Sequence, residues 1–141
     1  MDVLIVEGNQ AVGDTLLCML RAFSHDAFVA RSLRAAIAAR RAGHFDAYFI
    51  DMEFPDCGGV GVLGSLSAQD GEHPKPRSIG WTSLPEFWHQ PPSARLFDVI
   101  VAKPASIETV LAALQARDCP ECGNKLDLQH LSSSCCWTSR A

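Results

Sequence analysis

The 141-residue sequence contains no apolar stretch approaching the ~20 residues needed to cross a bilayer. It also lacks the charged start followed by an apolar run that marks a signal peptide, since Asp2 and Glu7 stand where such a segment would carry neither. These two absences predict a soluble, cytoplasmic protein. A surplus of positive charge is missing too: 12 Lys and Arg face 16 Asp and Glu, for a net charge of -4. Basic residues gather only at Arg31, Arg34, Arg40 and Arg41, which is the pattern of a solvated helix face. Direct nucleic-acid binding and membrane association are therefore not expected. No internal repeat is visible. Cysteine is scarce in the body, with only Cys18 and Cys57 before a cluster at Cys119, Cys122, Cys135 and Cys136. That distribution argues against a secreted disulfide scaffold and for metal binding in a reducing compartment.

What is present fits one globular domain with a short appendage, at 48% apolar and 20% charged residues. The predicted division is a domain over residues 1–117 and a Cys-rich tail over 118–141. The body is organised around residues 46–59. There an apolar, aromatic run (Ala47 to Ile50) delivers one carboxylate, Asp51, to its end, and Pro55, Gly58 and Gly59 turn the chain away. Such a run bounded by turn residues predicts a buried strand. A charge at its carboxyl end lies where open α/β sheets build their ligand sites.

In chain order, residues 2–6 predict a first buried strand ending at Glu7-Gly8. Asn9 caps a helix carrying Val12, Leu16, Met19, Leu20 and Phe23 at helical spacing. Residues 27–30 predict a weak second strand, and Ser32 caps a helix that stops at Gly43. Val60, Val62, Leu63 and Leu66 mark a third helix, and residues 69–77 a loop. Residues 78–82 predict a fourth strand ending on the Thr82 hydroxyl. Pro85, Pro91 and Pro92 restrict the fourth helix to at most about two turns. A fifth strand over 98–102 ends at Lys103-Pro104, and Ser106 caps a last helix bearing Ile107, Val110, Leu111 and Leu114. The alternation implies an α/β parallel sheet with right-handed crossovers. Glu7, Asp51, Thr82 and Lys103 then converge on one face.

On these residues the sequence resembles the receiver domain of two-component response regulators, over residues 2–116. Asp51 matches the phosphoacceptor, Pro55 and Gly59 the turn after it, Leu63 the helix beyond. Thr82 matches the hydroxyl after strand four, Lys103-Pro104 the Lys-Pro after strand five, and Glu7 the first of two acids after strand one. The resemblance implies a flavodoxin-like (βα)5 sheet of order 2-1-3-4-5. It implies phosphoryl transfer to Asp51 from a sensor histidine kinase or phosphotransfer protein, with Mg2+ as cofactor and no enzymatic activity beyond autophosphatase. The chemistry suits these residue types. A carboxylate can attack a phosphoryl group and hold it, and the charge on the phosphoryl oxygens needs neutralising by metal and cation. Lys103 supplies a point charge, and the Thr82 hydroxyl can turn towards the phosphate.

Three departures stand out. The second acid is Gly8, which removes a charged metal ligand, leaving Glu7, Asp51 and Glu53 as the expected Mg2+ set. Glu53 either adds a replacement oxygen or fills the site with negative charge. Ile100 stands at the aromatic switch position, with Phe97 just outside it, and the short fourth helix weakens the signalling region. His25, His44, His73 and His89 match no receiver motif, Trp81 and Trp88 are expected to pack, and Cys57 to be inert.

The tail has no counterpart in that family. Cys119-Pro-Glu-Cys122-Gly resembles half of a zinc ribbon, and two thiolates at this spacing can bind tetrahedral Zn2+. His130, Cys135 and Cys136 are candidates for the remaining ligands at non-standard spacing, and a second chain could also complete the site as a homodimer. A frayed or disulfide-linked tail is the alternative. The expectation for the whole is an atypical, stand-alone bacterial receiver that signals to a downstream protein by contact. The alternative is a phosphorylation-independent pseudo-receiver acting as an interaction or dimerisation module through its tail. A flavodoxin-type electron carrier is disfavoured, because no phosphate-cradling Ser/Thr/Gly loop follows strand one.

Overall fold

Continuous apolar runs along short strands place hydrophobic side chains on both faces of a sheet, so both faces need cover. A computed structural model, describing residues 1–71, 73–88 and 96–115, shows how this is met. Strands β1 (Asp2–Val6), β2 (Asp26–Ala30), β3 (Ala47–Asp51), β4 (Arg77–Thr82) and β5 (Val99–Ala102) form one parallel sheet. Its order is β2-β1-β3-β4-β5. The helices are α1 (Gln10–Ala22), α2 (Leu33–Ala42), α3 (Gly58–Ser67), α4 (Pro85–Trp88) and α5 (Ile107–Gln115). This is the flavodoxin-like doubly wound sheet that the alternation predicts.

Val3 and Ile5 of β1 face a core with Leu16 and Leu20 of α1, Phe49 and Ile79, and Val110 and Leu114 of α5. Leu4 and Val6 face the opposite core with Tyr48, Ile50, Val62, Leu66 and Phe97. Burying each such large apolar side chain stabilises the fold by about 1.5–3 kcal/mol relative to exposure. Helix starts follow the capping residues. Asn9 Oδ1 accepts from the Val12 N–H at 3.1 Å, Ser32 Oγ from Ala35 at 3.1 Å, and Ser106 Oγ from Thr109 at 3.2 Å. Such caps contribute about 1 kcal/mol each. Among the described residues, no helix is long and apolar enough to cross a membrane.

The fourth helix occupies one turn in the described residues, at the short end of the range Pro85, Pro91 and Pro92 allow. One expectation is corrected. Arg40 is not on a solvated face but is 5% exposed, its Nε 3.0 Å from both Tyr48 Oη and Asp70 Oδ1. Tyr48 also donates to Asp70 Oδ1 at 2.7 Å, and Arg40 reaches the Gly43 carbonyl at 3.2 Å. Burial, together with the hydrogen bond to the Asp70 carboxylate and its charge, pushes the Tyr48 hydroxyl far above its ordinary pKa. The charge enters the interior because partners from β3 and from the chain after α3 meet it there.

Candidate functional site

The carboxyl ends of β1, β3, β4 and β5 share one edge of the sheet, so the residues following them are neighbours. Asp51 closes β3 in register with Trp81 of β4, and Thr82 pairs with Ala102 of β5. Beyond Asp51 the chain turns sharply: Gly58 takes a positive φ of 67°, and the Gly59 N–H donates to the Met52 carbonyl at 3.0 Å. A Cβ at Gly59 would come within 2.7 Å of Met52 Cα and 2.9 Å of the Asp51 carbonyl oxygen. Only glycine lets α3 start this close to the Asp51 backbone.

Lys103 joins the first part of the site. Its backbone N–H donates to the Thr82 carbonyl at 2.6 Å, anchoring the residue beyond β5 to the end of β4. Its Nζ then lies 2.9 Å from Glu7 Oε2 and 3.1 Å from Asp51 Oδ1, and 5.5 Å from the centre of the Trp81 ring. Glu7 is buried, and its other oxygen accepts from the Asn9 N–H at 3.2 Å. The Glu7 side chain therefore turns inward. Asp51 Oδ1 also accepts from the Glu53 N–H at 3.0 Å. Asp51 Oδ2 has no protein donor among the described residues, leaving one oxygen available to a reacting group.

Glu53 and Thr82 form a separate second part. Glu53 Oε2 accepts from Thr82 Oγ1 at 2.7 Å and from Trp88 Nε1 at 2.9 Å. Its Oε1 accepts from the Ser83 N–H at 2.8 Å and Ser83 Oγ at 2.9 Å. Burial pushes this carboxyl up, but the hydrogen bonds from Thr82, Ser83 and Trp88 outweigh it and hold Glu53 below the usual carboxylate range. Thr82 is itself fully buried, and its oxygen accepts from the Leu84 N–H at 2.8 Å. Hence Glu7, Asp51 and Lys103 come together, whereas the Glu53 side chain turns away from them towards the β4–α4 connection.

Sequence reasoning missed Ser83; Trp88 does pack, against the core on the α2–α3 face, but its indole N–H also donates to Glu53, which was not foreseen. The available signal was three donors, Thr82, Ser83 and Trp88, within one short segment after a strand. Trp81 does pack, edge-on to Phe49 at 6.2 Å, and Cys57 is exposed at the start of α3. Ile100 and Phe97 are both buried, on the face of the sheet covered by α2 and α3.

As hosts for a hard cation, Glu7 and Asp51 offer two carboxylates, each with one oxygen within 3.1 Å of Lys103 Nζ. The Glu53 carbonyl accepts no hydrogen bond among the described residues. Gly8 leaves room beside them, since a Cβ there would have Pro55 Cδ at 3.9 Å as its nearest neighbour. One or two carboxylates plus phosphoryl oxygens and waters are what Mg2+ commonly takes, so the donor set fits it. Among the described residues, no three His, Cys, Asp or Glu side chains form a group that could hold a metal by themselves. The proposed zinc ligands Cys119, Cys122, His130, Cys135 and Cys136 lie outside the described residues.

Solved structures share this fold. The structure is similar to a CheY-like response regulator receiver domain from Methylobacillus flagellatus. The two are 27% identical with a TM-score of 0.74, over 82% of this chain and 96% of that one. The receiver domain of a sensor histidine kinase from Pseudomonas aeruginosa, solved with magnesium coordinated in its active-site cleft, shares the fold. It is 19% identical with a TM-score of 0.71, over 81% of this chain and 93% of that one. So does a response regulator from Burkholderia pseudomallei with a phosphorylated aspartic acid, calcium and citrate. It is 23% identical with a TM-score of 0.68, over 81% of this chain and 66% of that one. No protein-family model and no curated protein matches the sequence. With five parallel strands in the order 2-1-3-4-5, the chain has the fold of the CheY-like response regulator receiver domains it is similar to.

Proposed function

We propose that this receiver takes a phosphoryl group on Asp51 from a sensor histidine kinase or phosphotransfer protein, and signals by contact with a downstream protein. The observation that carries this reading is the Lys103 ammonium held 3.1 Å from Asp51 Oδ1 and 2.9 Å from Glu7 Oε2. It fixes Asp51 by one oxygen and leaves Oδ2 to attack. In the transfer, Asp51 Oδ2 forms a bond to phosphorus as the donor P–N bond breaks. The electron pair leaves with the donor imidazole, which is left neutral or takes up a proton from water. Lys103 stays beside the acyl phosphate and offsets the charge that arrives on its oxygens. Glu7 holds Lys103 in place from the other side. Glu7 and Asp51 would hold Mg2+, which when bound supplies further charge neutralisation at the phosphoryl oxygens.

A second reading, a phosphorylation-independent module, is favoured by one observation: the Thr82 hydroxyl already donates to Glu53. Intact mass after incubation with acetyl phosphate and Mg2+ decides between them. Phosphorylation adds about 80 Da to the wild type and nothing to Asp51→Asn, since the carboxylate is the nucleophile. A wild type that gains no mass beside a standard receiver that does would leave the second reading. For the tail, the proposal of a Zn2+ knuckle is checked by elemental analysis of reduced protein. Metal should be present in the wild type and absent after Cys119 and Cys122 are both replaced by Ser.

A further inference from the structure

Four donors converge on the Glu53 carboxylate, two to each oxygen, from three residues at or just beyond the end of β4. A fork of N–H and O–H groups around one carboxylate is the arrangement of an anion site, here filled from within the chain. One of its members is the hydroxyl expected to contact a phosphoryl group at Asp51. A threonine hydroxyl has a single proton, and that of Thr82 is donated to Glu53 Oε2 at 2.7 Å. The Leu84 N–H, 2.8 Å from Thr82 Oγ1, donates to the oxygen itself and so helps to orient its one proton. Thr82 therefore cannot serve Glu53 and a phosphoryl group together.

Resting on the phosphoacceptor reading above, we propose that Glu53 is an internal anion competing with the phosphoryl group for Thr82. Phosphorylation of Asp51 then exchanges one anion for the other and releases the β4–α4 connection. The exchange needs no new atoms. The Thr82 O–H leaves Glu53 Oε2 for an oxygen of the acyl phosphate. Two anions drawing on one short segment also repel, so Glu53 is driven from its remaining partners, Ser83 and Trp88. This assigns a job to Trp88: its indole N–H, bonded to Glu53 at 2.9 Å, is the link through which the state of Asp51 reaches α4. It also supplies a switch in a chain whose strand-five position is Ile100, a side chain with no polar group to exchange. Glu53 is a positioning residue in this scheme, since it acts on the acceptor through Thr82.

The test uses the full chain with 15N-labelled tryptophan, and with acetyl phosphate and Mg2+ as the phosphorylating probe. The Trp88 indole resonance is assigned by Trp88→Phe. In Glu53→Ala, phosphorylation should run about tenfold faster, the effect of freeing one charge-assisted hydrogen bond. Glu53→Gln, whose amide keeps one acceptor oxygen and turns the other into a donor, should fall between the two. In a Thr82→Val background the acceleration by Glu53→Ala should vanish, which a merely structural role for Glu53 would not produce. The Trp88 signal of phosphorylated wild type should move towards its position in Glu53→Ala. The inference alone is overturned if both proteins are phosphorylated at equal rates and the Trp88 signal does not respond. If neither wild type nor the two Glu53 variants takes up phosphate, the phosphoacceptor reading falls and this inference with it.

Discussion

Replacing Asp70 with alanine should cost about 3–5 kcal/mol of folding stability, because it strands a buried guanidinium. Asp70 Oδ1 accepts from Arg40 Nε at 3.0 Å and from Tyr48 Oη at 2.7 Å, and the two charged side chains are 5% and 11% exposed. After Asp70→Ala, Arg40 keeps its contacts to the Gly43 carbonyl at 3.2 Å and the Asp70 carbonyl at 3.4 Å, but no anion. Neither carbonyl replaces the lost charge. Domains of this size are stable by about 5–15 kcal/mol, so the loss is a large share of the total. Asp70→Asn keeps an oxygen that can accept from both donors and loses only the charge, so it should cost less. An internal control is Asp14→Ala, which removes the Arg31–Asp14 contact of 2.8 Å between side chains 43% and 48% exposed. Solvent screening limits that pair to at most about 1 kcal/mol. Urea denaturation of all three variants, with midpoints compared at unchanged slope, gives the ranking. Equal losses for Asp70→Ala and Asp14→Ala would refute the reasoning that Arg40 depends on Asp70 in the interior.

Two further outcomes concern the site. Because Glu53 is held below the usual carboxylate range, its hydrogen bonds are complete above that range and are lost as pH falls through the lowered value. The Trp88 indole resonance should therefore stay constant around neutrality, titrate only below the ordinary carboxylate range, and become flat in Glu53→Gln; a midpoint at or above that range would contradict this. Gly8→Asp places a Cβ with no neighbour closer than 3.9 Å and adds a carboxylate beside Glu7, so Mg2+ should bind tighter by on the order of tenfold in a titration. Unchanged affinity would mean that Glu7 already fills the role of the second acid.

The strands and most helix starts were legible because local signals and tertiary demands agree. Asn9, Ser32 and Ser106 cap where their side-chain chemistry predicts, and the apolar runs of β1 and β3 are buried. The meeting of Glu7, Asp51 and Lys103 was legible as well, because parallel topology brings strand ends to one edge whatever lies between them. Arg40 was not legible: its partners Tyr48 and Asp70 are 8 and 30 residues away, and helical periodicity shows only a polar residue. The Glu53 contacts escaped for a related reason. A glutamate in a turn carries no local sign of direction, and its partners lie 29 to 35 residues on. Side-chain pairing across the sheet edge depends on register and reach, which composition does not encode.

The most direct measurement of the central claim is the position of the phosphoryl group itself. Wild-type protein treated with acetyl phosphate and Mg2+ is reduced with borohydride, which converts an aspartyl phosphate to homoserine, and then mapped by peptide mass spectrometry. Homoserine at residue 51, absent from Lys103→Ala or much reduced there, is the result expected if Lys103 offsets the charge of an acyl phosphate on Asp51. Homoserine at another aspartate, or at none while a standard receiver is labelled in parallel, would contradict it.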